Sequence, residues 1–228
     1  MLHCVQHDAT GVSQRQLETL TLTAHDLGRR YGRQWIFRHL GHEFQSGSAT
    51  AVLGPNGSGK STLLTMLAGQ LLPTEGEVRY QLGGQLLPAA GVPRRLAYCA
   101  PYLELPEDFT LLELLAFHTR LKPLRASVTA AELVDIMYLR KARHQAVRTF
   151  SSGMKQRLKL ALALYADTPL LLLDEPTTNL DATGVAWYQA QVALARQADP
   201  ARVVVVSSNV PAEYGFCDGA LSITDYPG

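Results

Sequence analysis

The sequence predicts an α/β domain whose parallel sheet is interrupted by a helical insertion. Three observations point there. The short runs "ATAVL" (49–53), "PLLLLD" (169–174) and "RVVVVSS" (202–208) are apolar without alternation, the pattern of strands buried on both faces. Stretches with helical spacing separate them, as a parallel sheet requires. A long block, about 102–166, is helical in period rather than alternating, so it reads as an insertion into the strand-helix series.

The elements follow in chain order. The polar start "MLHCVQHDATGVSQRQ" has neither the apolar centre of a signal peptide nor an Arg-rich amphipathic pattern, so residues 1–19 read as an extension before a domain at 20–228. "ATAVL" is a strand, a Gly-rich turn follows, and "KSTLLTMLAGQLL" carries apolar residues at helical spacing. "RRLAYCA" (94–100) is the next strand. "TLLELLAFHTRL" (110–121) and "TAAELVDIMYL" (129–139) are helices, with Thr110 and Thr129 as N-caps. The segment Pro101 to Pro106 and the region of Pro169 are the crossings between core and insertion. After "PLLLLD" come a helix over about 183–198, the Val-rich strand, and "GALSIT" (219–224) as a last strand.

Composition narrows the function classes. The chain has 228 residues, 46% of them hydrophobic, enough for a sizeable core. Its 21 basic and 20 acidic residues leave a net charge of +1, so no nucleic-acid partner is expected. Cys4, Cys99 and Cys217 lie far apart with no zinc-type spacing, which fits a reducing cytosol. Every apolar run falls far short of the ~20 residues that cross a bilayer, so work at a membrane would need another chain to span it.

Two motifs carry chemistry. "GPNGSGKST" (54–62) satisfies the phosphate-loop pattern at Gly54, Gly59, Lys60 and Ser61. Its glycines let successive N–H groups turn towards a phosphate, and Pro55, Asn56, Gly57, Ser58 and Thr62 complete the cradle. Lys60 neutralises the β and γ oxygens, and Ser61 offers a hydroxyl to Mg²⁺. "LLLLDEPT" (170–177) runs a buried strand into two adjacent acids. Asp174 is placed to hold Mg²⁺ and Glu175 to polarise the water that attacks the γ-phosphate; the cation supplies the compensation that two neighbouring carboxylates need. The alternative is a solvated strand end without a partner.

With "FSSGMKQRLKLALAL" (150–164) between them, these motifs resemble those of the ATP-binding subunits of ABC transporters, over about residues 20–224. "GPNGSGKST" is similar to Walker A, "LLLLDEPTTNLD" to Walker B with its D-loop, and Phe150 to Met154 to the family signature, usually LSGGQ. The resemblance implies a P-loop NTPase with a RecA-like, mostly parallel core, N-terminal antiparallel strands and an inserted α-helical subdomain. It implies ATP and Mg²⁺ as ligands and a head-to-tail homodimer. In that dimer Ser151, Ser152 and Gly153 touch the nucleotide held by the other copy, and Asp181 lies at the seam. It further implies a separate permease, its cytoplasmic helix docked near residues 99–125, and a place on the inner face of the cell membrane. Tyr31 stands where the family stacks an aromatic on adenine, although strand-edge packing would account for it equally.

The family pattern is broken twice. Pro101 occupies the position of the Q-loop glutamine and has no side-chain donor or acceptor; Tyr102 and Glu104 are the nearby substitutes. Asn209 stands at the usual histidine, or Ser208 if the alignment shifts by one; Asn keeps an amide donor but cannot become cationic. The expected activity is therefore ATP hydrolysis coupled to transport, with Glu175, Lys60 and Asn209 at the chemistry. A slowly hydrolysing, ATP-gated dimeric clamp and a soluble ABC-type ATPase outside transport are the alternatives.

Overall fold

The computed structural model describes residues 19–228. The extension read at 1–19, with Cys4, lies outside the described residues except for Thr19.

Two sheets form the frame. The N-terminal sheet is antiparallel, in the order β2-β1-β4-β5, from β1 (Leu20–Tyr31), β2 (Gln34–Gln45), β4 (Glu75–Leu82) and β5 (Gln85–Leu86). The second sheet is parallel throughout, in the order β6-β7-β8-β3-β9, from β3 (Ala49–Leu53), β6 (Leu96–Cys99), β7 (Leu170–Asp174), β8 (Val203–Ser207) and β9 (Gly219–Ser222).

The unalternating apolar runs do what their pattern requires. Leu171 and Leu173 of β7, with Val204 and Val206 of β8, pack into a core shared with the helices between β6 and β8. Leu170, Leu172, Val203 and Val205 point the other way, into a core closed by α1 (Lys60–Leu67) and the antiparallel sheet. Both faces are therefore buried, which only residues such as Leu and Val tolerate along a whole strand.

Between β6 and β7 lie α2 (Leu111–Leu121), α3 (Ala130–Ile136) and α4 (Ser152–Leu164). Thr110 and Thr129 close capping boxes with Glu113 and Glu132, each hydroxyl accepting from the N3 backbone while the glutamate accepts from the cap. The helix expected through 139 stops at Ile136. Tyr138 takes a left-handed φ of 60°, Leu139 N–H donates to Val134 O at 3.0 Å, and Tyr138 N–H to Asp135 O at 2.9 Å, a Schellman ending that the apolar spacing did not announce. α5 (Ala182–Ala198) and the single turn α6 (Pro211–Tyr214) complete the α-helices among the described residues.

Strand register sets the site. Val52 and Asp174 both pair with Ser207, so β3, β8 and β7 end at one level. The segments leaving these three ends converge at the carboxyl edge of the sheet, where open α/β folds bind ligands. Among the described residues, no helix is long and apolar enough to cross a membrane.

Candidate functional site

Leaving β3, the chain wraps through Gly54 to Gly59 into α1. Gly59 caps that helix at φ 102°, and a Cβ there would stand 2.4 Å from Ile36 Cγ2, so any side chain would displace that of Ile36 in β2. No side chain occupies the cap, which leaves the first N–H groups of α1 to an anion. Lys60 is 5% exposed and folds back over the loop, its Nζ donating to Gly54 O at 2.8 Å and Pro55 O at 3.0 Å. Ser58 Oγ is buried without a partner.

Asp174, last residue of β7, is 1% exposed, and neither carboxylate oxygen accepts a hydrogen bond. Burial raises its pKa above the ordinary carboxylate range; the hydroxyls of Ser61 and Ser207 oppose this, the charge of Glu175 adds to it, and Lys60 offsets part. Ser207 Oγ is itself buried and unpaired. A buried, unsatisfied carboxylate costs several kcal/mol unless something compensates it. Glu175 follows at φ 43°, a left-handed turn that carries the chain out of the strand, with its N–H fixed on Ser207 O at 2.9 Å.

The segment after β8 closes the site from the other side. Asn209 Nδ2 donates to Asn56 Oδ1 at 2.7 Å, so this amide meets the phosphate loop. Four residues on, Glu213 is 2% exposed and accepts from Thr177 N at 2.8 Å and from the Thr177 hydroxyl, tying the stretch after Glu175 to α6. Gln156 of α4, also buried, donates to Pro176 O at 2.7 Å. Neither Glu213 nor Gln156 stands out in the sequence; a polar residue inside an amphipathic helix and an acid near the C-terminus give no sign of burial.

Ser151 caps α4, its Oγ accepting from Met154 N at 3.2 Å, with Ser152 and Gly153 opening the helix. A Cβ on Gly153 would stand 3.3 Å from Asn179 O, so the start of α4 lies close against the loop before α5. Asp181 caps α5 through Gly184 N at 2.7 Å, with Arg157 Nη2 3.9 Å away. The two capping bonds are local, and none of these contacts reaches the phosphate loop. Tyr31 ends β1 half exposed, with the Arg29 guanidinium 4.5 Å from its ring centroid. Thr62 lies in the first turn of α1.

At the Q-loop position Pro101 contributes backbone only: Lys159 Nζ donates to Ala100 O and Pro101 O, each at 3.2 Å. Tyr102 turns its hydroxyl to Thr65 Oγ1 of α1 at 3.1 Å, while Glu104 is exposed. Beside this segment, β6, α2 and α4 enclose a cavity of about 260 Å³ whose lining includes Leu105, Leu114, Phe117, His118, Lys122 and Lys159.

A parallel sheet with a glycine loop, a lysine and an acidic pair at one edge defines a nucleotide-binding domain. A family model described as ABC transporter matches residues 37–178, and the chain belongs to that family. It is 28% identical over 207 residues to an uncharacterized ABC transporter ATP-binding protein of Bacillus subtilis, YybJ, covering 91% of this chain and 92% of that one. It is 30% identical over 208 residues to the cytochrome c biogenesis ATP-binding export protein CcmA of Brucella abortus, covering 90% and 91%. Its fold is similar to that of the dimeric bacterial ABC transporter cassette MJ0796, with a TM-score of 0.73 at 19% identity over 89% of this chain and 94% of that one.

Proposed function

We propose that the chain is the ATP-hydrolysing subunit of an ABC transport system. Two copies close head to tail around ATP and Mg²⁺, and their reopening after γ-phosphate cleavage drives a separate membrane permease. The observation that carries this reading is Asp174: a buried carboxylate with both oxygens unpaired, one residue before Glu175 and beside Ser61.

One carboxylate and one hydroxyl suit Mg²⁺, which takes few protein ligands and completes its shell with phosphates and water. When bound, it neutralises charge on the β and γ oxygens. Lys60 releases the carbonyls of Gly54 and Pro55 and turns its ammonium to those oxygens. The N–H groups from Gly57 to Thr62 cradle the phosphates. Glu175 orients the attacking water and accepts its proton. Asn209, already at the loop through Asn56, donates to a γ oxygen. In the closed dimer Ser151, Ser152 and Gly153 of one copy present the free N–H groups of α4 to the nucleotide of the other, with Asp181 at the seam. Tyr31 stacks on adenine at the exposed end of β1.

The cavity beside β6 and α2 supports a permease helix as its occupant, because it is open, largely apolar and adjacent to the Pro101–Tyr102 segment. The chain would then sit on the cytoplasmic face of the membrane. The Brucella abortus relative is named as an ATP-binding export protein, which agrees with transport. The test is Mg²⁺-dependent ATP turnover of the wild type beside Glu175→Gln and Asn209→His. Turnover in the wild type, a loss of about 10²-fold or more in Glu175→Gln and a rise in Asn209→His are expected.

The Asn209–Asn56 bond favours a second reading, a clamp that dimerises on ATP and hydrolyses slowly, since the amide is engaged by the loop rather than free. A wild type as silent as Glu175→Gln that still dimerises on ATP, alone and beside its permease, would establish the clamp instead.

A further inference from the structure

From β6 runs a line of hydroxyls that the proposed hydrolysis does not use. Tyr98 Oη, Tyr102 Oη, Thr65 Oγ1 and the carbonyl of Ser61 follow one another. Each hydroxyl carries one proton, so the direction is fixed by accounting. Thr65 donates to Ser61 O at 2.7 Å, and therefore accepts from Tyr102 at their 3.1 Å contact. With the Tyr102 proton spent there, Tyr98 is the donor between the two phenols. The chain runs one way, from the parallel sheet to the first turn of α1.

Its end is the backbone of Ser61, whose hydroxyl adjoins Asp174. Its start is close to the same acid. Burial pushes the Tyr98 phenol well above its ordinary range, the bond to Tyr102 and the charge of Asp174 push the same way, the Thr65 hydroxyl opposes them in part, and the phenol remains a donor at any physiological pH. Tyr102 is 52% exposed and meets Tyr98 edge to face at 6.3 Å between centroids, so its hydroxyl rather than ring burial is its main tie to the site. Lys159, gripping Ala100 O and Pro101 O, holds the intervening turn.

We infer that Tyr98 and Tyr102 are positioning residues for the cation site, joining β6 through Thr65 to Ser61 and so setting where the Ser61 hydroxyl stands against Asp174. The inference rests on the reading of Ser61 and Asp174 as the protein's contacts to Mg²⁺. Pro101 cannot serve in this role, having no side-chain donor or acceptor, and the two phenols supply by a hydroxyl line what that position lacks.

Calorimetric titration with a non-hydrolysable ATP analogue, in Mg²⁺ and again in excess chelator, tests it on the wild type, Tyr98→Phe, Tyr102→Phe and the double variant. Each Phe keeps the ring and removes one hydroxyl, so the ligand-free melting temperature should move little. The expected result is a Mg²⁺-dependent gain in affinity reduced about three- to tenfold in each single variant, with unchanged affinity in chelator. The double variant should lose no more than the singles, because cutting a line twice separates the same ends. A wild-type Mg²⁺ gain in both single variants, or losses that multiply in the double, would overturn the positioning role. Absence of any Mg²⁺ gain in the wild type would instead overturn the reading of Ser61 and Asp174, and this inference with it.

Discussion

Asn209 donates through Nδ2 to Oδ1 of Asn56 at 2.7 Å, joining the segment after β8 to the phosphate loop across 153 residues of chain. The bond is exposed, so its loss should cost the ligand-free protein no more than about 0.5–1 kcal/mol. Asn209→Ala and Asn56→Ala should therefore unfold at nearly the same urea concentration. Turnover should separate them. If Asn209 donates to the γ-phosphate as proposed, Asn209→Ala should fall about 10- to 100-fold, whereas Asn56→Ala should fall no more than about threefold because the amide of Asn209 survives. Equal losses would show that the bond itself, rather than a phosphate contact, is what Asn209 contributes.

Asp174 has a different signature. Its folded pKa is raised, chiefly by burial, so its contribution to stability is full below the ordinary carboxylate range and is lost as pH rises through the folded value. In chelator at pH 8, Asp174→Asn should accordingly be more stable than the wild type, by about 1–3 kcal/mol, since the charge without a partner is gone. The gap should shrink towards zero as pH falls through the carboxylate range. Mg²⁺ and ATP should reverse the order by stabilising only the wild type. Thermal unfolding across pH, with and without ligand, measures all three; a wild type already more stable than Asp174→Asn in chelator at pH 8 would mean that Asp174 is satisfied within the protein.

Two glycines of the phosphate loop should respond unequally to the same change. Gly57 has φ 81° and open space around its missing Cβ, so Gly57→Ala should cost only the left-handed backbone, about 1–2 kcal/mol. Gly59 has φ 102° with Ile36 Cγ2 at 2.4 Å from its would-be Cβ, so Gly59→Ala adds a steric conflict with β2. That variant should lose about 3 kcal/mol or more and most of its ATP affinity. Equal denaturation midpoints for the two variants would show that β2 yields at no cost.

The parts of this molecule legible in its sequence are those where one local rule suffices. Unalternating runs identified β3, β7 and β8 because both faces of those strands are buried, and Thr110 and Thr129 marked their helices because a capping box is a four-residue pattern. The end of α3 was not legible, because Tyr138 in a left-handed conformation replaces the glycine that usually signals a Schellman ending. At the site, the phosphate loop and the Asp174–Glu175 pair were legible as motifs, but the partners that hold them were not. Glu213 meets Thr177 from 36 residues away and Tyr102 meets Thr65 from 37, distances over which sequence spacing carries no contact information. The antiparallel sheet came from family resemblance alone, since the irregular pairing of β1 with β2, with Asp26 and His39 at positive φ, blurs the alternation that would have shown it.

Gly153 offers a test in which stability and assembly move in opposite directions. It opens α4 one residue after Ser152, in a first turn that contains no acid. A carboxylate there faces the positive end of the helix and should stabilise the monomer by about 0.3–1 kcal/mol, less whatever adjustment Asn179 O, 3.3 Å from the new Cβ, requires. If the same N–H groups meet the triphosphate of a second copy, the carboxylate fills their place and repels the anion. Gly153→Asp should thus show a slightly raised denaturation midpoint and wild-type ATP affinity as a monomer, yet fail to dimerise when ATP is added to a Glu175→Gln background. Size-exclusion chromatography with light scattering reads the outcome. Dimers that persist in Gly153→Asp would place the nucleotide contact elsewhere and leave Ser151 and Gly153 as no more than the capped start of α4.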